Sequence, residues 1–383
     1  MTEPVKGFKD YSGKEAIKRE EIRKILVETF ERYGFEPVET PIVEQEEFVR
    51  GENVSDEAVS DIFKLQDKGK RNLALRYEFT FQLKRLMKNK KLPYKRYQIG
   101  EVFRDEPISA NRFRQFTQCD VDVVGSGIRN EAEVLALTNE IMITLGIKPL
   151  ILINNRGLLN EILQDCRVKE KDRLQVLREI DKYGKISDKE IKQNLKKYKA
   201  EKVLDTLKQG EEYFNKFQGY KQIIALIEYC KLYGVKVKFS PTIIRGLSYY
   251  NENVFEVKAK NSVGISKDSI VAGGSYMFNG IQCTGISFGL ERISTLAKLD
   301  NVNEKEKILV VSLGQDKETI GLAQKLRKNR KVVSLFYGKP TKALEYANSY
   351  GFQKVIFVGE KEIKAKKFKV KNMKTGKESE LKI

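Results

Sequence analysis

The stretch FRDEPISANRFRQFTQ, residues 103–118, places three guanidiniums where a surface turn would ordinarily carry one. Arg104, Arg112 and Arg114 stand within eleven positions, with Asp105 and Glu106 beside the first and Phe113 and Phe116 among the others. Gly100 precedes the stretch and CDVDVVG (119–125) follows it, so one alternating apolar segment runs into a polar turn and out into another. The alternation predicts strands over 97–104 and 116–124, joined as a hairpin. A guanidinium can hold two phosphate oxygens at once and can also stack.

Working outward, GFEPVETPIVE (34–44) reads as extended, with Pro41 restricted to a strand edge or an interface. Ahead of it, Ser12 followed by Glu15 has the form of a capping box. Ile22, Ile25, Leu26, Phe30 and Tyr33 then share one helical face, closed by Gly34. IFKLQDKGKRNLALR (62–76) predicts a hairpin turning at Asp67–Gly69, and residues 131–147 predict a helix. From 159 to 227 the chain is charged and helical in pattern, with no strand alternation. Strands resume at VKVKFS (235–240), NVFEVKAK (253–260) and DSIVAGG (268–274). CTGISFGLERISTLAKL (283–299) reads as a strand that bends into a helix at a glycine. Beyond KLDNVNEKEK (298–307), apolar strands alternate with amphipathic helices, which predicts a small α/β domain.

Composition removes whole classes of chemistry. The chain of 383 residues contains no histidine, so no protein imidazole serves as base, nucleophile partner or metal ligand. Its four cysteines (Cys119, Cys166, Cys230, Cys283) form no C-x-x-C pair, which argues against a disulfide framework and a zinc site. No run of eighteen apolar residues occurs and MTEPVKGFKD has no apolar leader core, so a cytoplasmic protein with no membrane association is expected. The length predicts two or three domains. The net charge is +19, and residues 305–383 alone hold 20 Lys+Arg against 8 Asp+Glu, a net of +12. Such a tail is either a solvated lysine-rich surface or an electrostatic footprint for a polyanion such as RNA.

GFEPVETPIVE (34–44), FRDEPISANRFRQFTQCDVDVVG (103–125) and GISFGLERI (285–293) follow one another in the order of motifs 1, 2 and 3 of the class II aminoacyl-tRNA synthetases. LRYEFT (75–80), RFRQFTQCDVDVVG (112–125), RGLSYYNENVFEV (245–257) and AGGSY (272–276) resemble the histidyl-tRNA synthetase family, especially its archaeal and eukaryotic branch. The resemblance covers the whole chain. It implies an α+β fold: an antiparallel sheet flanked by helices, a helical insertion and a C-terminal α/β anticodon-binding domain. On that basis the catalytic core occupies 1–158 and 228–300, the insertion 159–227 and the anticodon-binding domain 304–383.

The resemblance also implies ligation of L-histidine to tRNA(His) through an adenylate, with ATP as substrate, Mg2+ as its ion and a homodimer as the assembly. The two-fold contact would involve the motif 1 helix and strand, with Ile22, Ile25 and Phe30 on the apolar face. ATP would be held by Arg104 at the α-phosphate and Arg112 at the outer phosphates. Phe116 and Arg292 would sandwich adenine, and Glu106 would read its amino group. Arg114 is either a further ligand contact or an ion pair that orients the hairpin. Glu78, Thr80 and Gln118 would hold the α-amino group, while Asp122 and Tyr250 would read the imidazole. Tyr249 either joins them or packs on the opposite side. Arg245 would reach the α-phosphate beside the histidine carboxylate, serving as a cation where other class members place a metal.

Three positions depart from the family pattern. Ser248 stands in place of Asp in RGLDYY, and Ser275 and Met277 stand in place of Arg and Asp in GGRYD. Loss of catalysis in a regulatory or tRNA-binding paralogue is one explanation. Joint loss of a buried charge pair at 248 and 275 is the other, since stranding one partner would be costly.

Overall fold

The computed structural model of the chain describes residues 2–50, 61–109, 112–244, 249–261, 264–266, 268–299, 306–365 and 367–381. It divides into two units, Met1–Leu299 and Asp300–Ile383. The first begins with helix α1 (Gly13–Arg32), strands β1 (Glu36–Pro37) and β2 (Val43–Gln45), and helix α2 (Glu46–Arg50). Next come β3 (Lys64–Gln66), β4 (Asn72–Leu75), α3 (Leu83–Leu86), the long hairpin β5 (Tyr94–Phe103) and β6 (Gln115–Val124), α4 (Ile128–Thr144) and β7 (Lys148–Asn155). Helices α5 (Arg156–Asp165), α6 (Glu170–Ile180), α7 (Asp188–Leu195), α8 (Glu201–Leu207) and α9 (Gln218–Leu232) follow. The unit closes with β8 (Val237–Phe239), β9 (Tyr250–Asn261), β10 (Gly264–Ile265), β11 (Val271–Phe278), β12 (Ile281–Gly289) and α10 (Leu290–Leu296).

Nine of the unit's described strands form one sheet in the order β1-β5-β6-β12-β11-β9-β7-β8, with β10 on β9. β1 and β8 lie parallel to their neighbours, and the remaining pairs are antiparallel. Strand alternation gives this sheet two different faces. Cys119, Val121 and Val123 of β6, Phe255 and Val257 of β9, and Ile286 and Phe288 of β12 enter one core with α1, α4, α5 and α9. Gln118 and Asp122 turn to the other face, where a cleft opens.

Two expectations about α1 are corrected. Ser12 makes no side-chain cap bond, and Glu15 instead pairs with Lys9 at 2.7 Å. The apolar face expected at a two-fold contact is occupied within the chain: Ile22 and Phe30 are fully buried, and Ile25 packs against the same core. Apolar surface in this region lies instead on the three-stranded sheet β2-β4-β3. Register puts Val43, Leu65, Leu73 and Leu75 on one face, and Val43 and Leu65 are 44% and 42% exposed. β7 is a strand although its sequence, KPLILINN, lacks alternation.

The second unit runs β13 (Lys307–Ser312), α11 (Asp316–Lys328), β14 (Val332–Tyr337), α12 (Pro340–Ser349), β15 (Lys354–Val358), α13 (Glu360–Ala365), β16 (Lys369–Asn372) and β17 (Glu378–Glu380). Its sheet order is β14-β13-β15-β16-β17, parallel among the first three strands and antiparallel after. Ile308 and Val310 pack with Leu322 and Leu326 of α11, while Leu309 and Val311 pack with Ala343 and Ala347 of α12. Burial on both faces is why ILVV is a continuous apolar run.

Candidate active site

The cleft has a volume of about 740 Å³ and is floored by β6, β11 and β12. Arg104, Glu106, Arg112, Phe116, Arg292, Glu78, Thr80, Gln118, Asp122, Tyr249 and Tyr250 all line it. Arg245 and Ser248 lie outside the described residues. Residues separated by more than 200 positions therefore converge, because β5, β6 and β12 are adjacent and antiparallel, so that β6 begins at the rim where β5 and β12 end.

The cations are held from behind. The Arg104 guanidinium sits 4.4 Å from the centre of the Tyr77 ring and 5.1 Å from that of Phe116. Two aromatic faces fix a planar cation while leaving its edge free for oxyanions. Tyr77 also donates its hydroxyl to Glu106 (3.3 Å), whose other oxygen faces Arg112 at 3.5 Å. Arg292 donates to the Ser269 carbonyl at 2.7 Å. Burial lowers its pKa, and so do the neighbouring Arg112 and Arg104 guanidiniums, which marks a concentration of positive charge that an anion would relieve. Arg114 is different: it pairs with Asp105 at 3.2 Å and its backbone N–H donates to Gly7, so it braces the hairpin.

The carboxylates are buried deeper. Glu78 accepts from the Phe81 backbone at 3.0 Å and from the Tyr249 hydroxyl at 3.2 Å, and burial raises its pKa. Tyr249 and Tyr250 stand side by side with ring centres 4.8 Å apart. The alternative in which Tyr249 faces away is thus corrected. Tyr249 lies in the turn before β9 begins, where strand alternation does not apply. Asp122 faces Arg96 at 2.7 Å and accepts a hydrogen bond from the Tyr276 hydroxyl. Burial raises Asp122 while Arg96 opposes the rise. A Cβ at Gly285 would lie 2.1 Å from the Asp122 carboxylate, so the cross-strand neighbour must be glycine.

Arg96, Tyr77 and Tyr276 are site residues to which the sequence assigned no role. The insertion also contributes: Gln175, Arg178 and Lys182, on and just after α6, line the cleft, as does Arg156. Glu291, which also lines the cleft, accepts the Thr117 backbone N–H at 3.1 Å and pairs with Arg19 of α1 at 2.9 Å. Ser275 turns away from the cleft and donates to Glu131 of α4, whose second oxygen accepts from Asn253 at 2.6 Å. An arginine at 275 would therefore stand beside Glu131, while position 248, its expected charge partner, lies outside the described residues.

A largely antiparallel sheet that gathers arginines and buried carboxylates in one cleft, followed along the chain by a separate α/β unit, is the build of a class II aminoacyl-tRNA synthetase. A family model described as histidyl-tRNA synthetase matches residues 7–293, and one described as an anticodon binding domain matches residues 307–383. The chain belongs to the histidyl-tRNA synthetase family. It is 35% identical to histidine–tRNA ligase 1 of Bacillus thuringiensis, over 99% of this chain and 97% of that one. It is 32% identical to the histidine–tRNA ligase of Pyrococcus furiosus, over 100% and 97%. Among solved structures, the histidyl-tRNA synthetase of Nostoc sp. PCC 7120 superposes with a TM-score of 0.83 at 24% identity, covering 100% of this chain and 97% of that one. A Bacillus halodurans chain described as an ATP phosphoribosyltransferase regulatory subunit/histidyl-tRNA synthetase superposes at 0.79 and 22% identity, covering 93% and 98%.

Proposed function

We propose that the cleft activates L-histidine with ATP and passes the histidyl group to the 3′ end of tRNA(His). The observation that carries the reading is the convergence of three arginines with Glu78, Gln118 and Asp122 in one cavity. In the first step a carboxylate oxygen of histidine attacks the α-phosphorus of ATP, and pyrophosphate leaves with the electrons of the broken P–O bond. Two anions must approach, so preorganised guanidiniums lower the barrier by offsetting their repulsion and the charge that develops. Arg104 is assigned to the α-phosphate and Arg112 to the outer phosphates. Phe116 and Arg292 are assigned to the faces of adenine and Glu106 to its amino group. Arg245 is assigned to the α-phosphate beside the substrate carboxylate. Glu78, Thr80 and Gln118 receive the ammonium, and Asp122 with Tyr249 and Tyr250 forms the ring pocket. In the second step the terminal tRNA hydroxyl attacks the carbonyl carbon of the adenylate and AMP leaves.

Among the described residues no three Asp, Glu, His or Cys side chains converge to hold a metal ion. That fits Mg2+ carried chiefly on the nucleotide phosphates, an ion that keeps several waters and commonly takes only one or two protein carboxylates. The basic terminal unit, net +12 over residues 305–383, supports a polyanionic partner. The exposed face with Val43 and Leu65 supports a homodimer in which that face meets its own copy. Among the described residues no helix is long and apolar enough to cross a membrane, and we assign the protein to the cytoplasm.

Histidine-dependent exchange of pyrophosphate into ATP tests the reading. A regulatory or tRNA-binding paralogue would bind histidine or RNA without exchange. Retention of Arg104 and Arg292 in the cleft disfavours that alternative.

A further inference from the structure

Gln118 lines the cleft, is 5% exposed, and is half satisfied. Its Nε2 donates to Asp120 Oδ2 at 2.7 Å, while its Oε1 is buried with no hydrogen-bond partner. Asp120 is two residues along the same face of β6, is 4% exposed, and does not itself line the cleft. The groups around it are Arg96 from β5, Asp122 from β6 and the Ser287 hydroxyl from β12. A buried acceptor left empty in a binding cavity is uncommon and points to a ligand donor.

Burial and the neighbouring Asp122 raise the Asp120 carboxyl to about 7, against Arg96 and the hydrogen bonds from Ser287 and Gln118, so above that pH it is a carboxylate and can only accept. Placed beside a primary amide, it selects the NH2 group and leaves the carbonyl oxygen as what that amide offers to its other side. The reverse orientation would set oxygen against oxygen. We propose that Asp120 is a positioning residue that locks the Gln118 amide with its oxygen toward the cleft, and so sets the preference of the site for a substrate bearing an α-ammonium. This rests on the reading of Gln118 as an ammonium acceptor. Asp120 touches no substrate; its effect passes through Gln118. Asparagine at 120 would donate as readily as it accepts. The amide would then lose its fixed sense, and the negative charge behind it would be gone.

The test compares histidine with imidazolepropionate, which has the same ring and carboxylate but no amino group. In the full-length chain, KM for histidine and Ki for the analogue are read from pyrophosphate exchange for the parent, Asp120→Asn, Gln118→Ala and the double variant. Asp120→Asn should raise the histidine KM about tenfold, the scale of one hydrogen bond to a charged group, and leave the analogue within about twofold. The double variant should be no worse than Gln118→Ala. Equal weakening of both ligands by Asp120→Asn, or additive effects in the double variant, would overturn the proposal and leave Gln118 as read. If Gln118→Ala leaves the histidine-to-analogue ratio unchanged, the reading of Gln118 fails and the proposal with it. Should Asp120→Asn not fold, Asp120→Ser, which keeps a small acceptor, carries the same comparison.

Discussion

The two faces of β6 differ by one residue in register and by everything in chemistry. Cys119, Val121 and Val123 are fully buried against helices, and the requirement on them is only volume and apolarity. Gln118, Asp120 and Asp122 are just as buried, yet each is polar and each depends on a named partner from another strand or a neighbour along its own. A one-residue slip would exchange the two sets, so the helix core fixes the register that the site depends on. Stability is stored on one face and function on the other.

The largest expected break in that division is Arg96→Met. It would leave Asp122 and Asp120 buried without their cation, and a stranded charge of this kind costs about 3–5 kcal/mol. Denaturant unfolding should show that loss, and Asp122→Leu added to it should restore much of the stability without activity. A loss under about 1 kcal/mol would mean that the polar face is not coupled through Arg96. Next in size are Arg104→Lys and Arg292→Lys, which keep the charge but lose the fork and the stacking. Each should slow pyrophosphate exchange by about 10²–10³ with thermal unfolding unchanged. Lysine variants within a few-fold of the parent would refute their roles.

Glu131 is a polar group on the helix side, and it sharpens the comparison through pH. Burial raises its carboxyl to about 7 from the ordinary 4.5, against hydrogen bonds from Ser275 and Asn253 that lower it. The folded state thus holds this proton more tightly than the unfolded chain. Its stabilising contribution is complete below the unfolded value and is lost as pH rises through about 7. Glu131→Gln should flatten stability across that window and leave the variant the more stable above it, by at most ~3 kcal/mol. An unchanged slope would show that Glu131 is not the group responsible. The smallest effect belongs to Val121→Ala, which should lose roughly 1–2 kcal/mol of stability while the KM for histidine stays put. A shifted KM would mean that packing on one face reaches chemistry on the other.

Much of this was legible in the sequence. The hairpin, the glycine-bent strand and helix, and the terminal α/β unit follow from periodicity and turn residues, which are local. Eleven expected site residues meet in one cleft because the motifs that carry them are themselves local. What escaped was non-local. Arg96 is opposite Asp122 only once β5 and β6 are in register, and Tyr276 reaches Asp122 across β12. The face of α1 expected at a partner lies in the chain's own core, since burial within a chain and between chains asks for the same residues. In the lysine-rich tail, α13, β16 and β17 carry too few apolar positions to declare a period.

The tyrosine cluster has an optical consequence. Tyr249, Tyr250 and Tyr276 gather at the cleft, and the chain has 17 tyrosines and no tryptophan. Tyrosine emission in this protein is not drained by energy transfer to an indole, and the hydroxyls of Tyr249 and Tyr276 already rest on carboxylates that quench it. A ligand that takes over those carboxylates changes the quenching, so occupancy of the cleft is written into the protein's own ultraviolet fluorescence without a label.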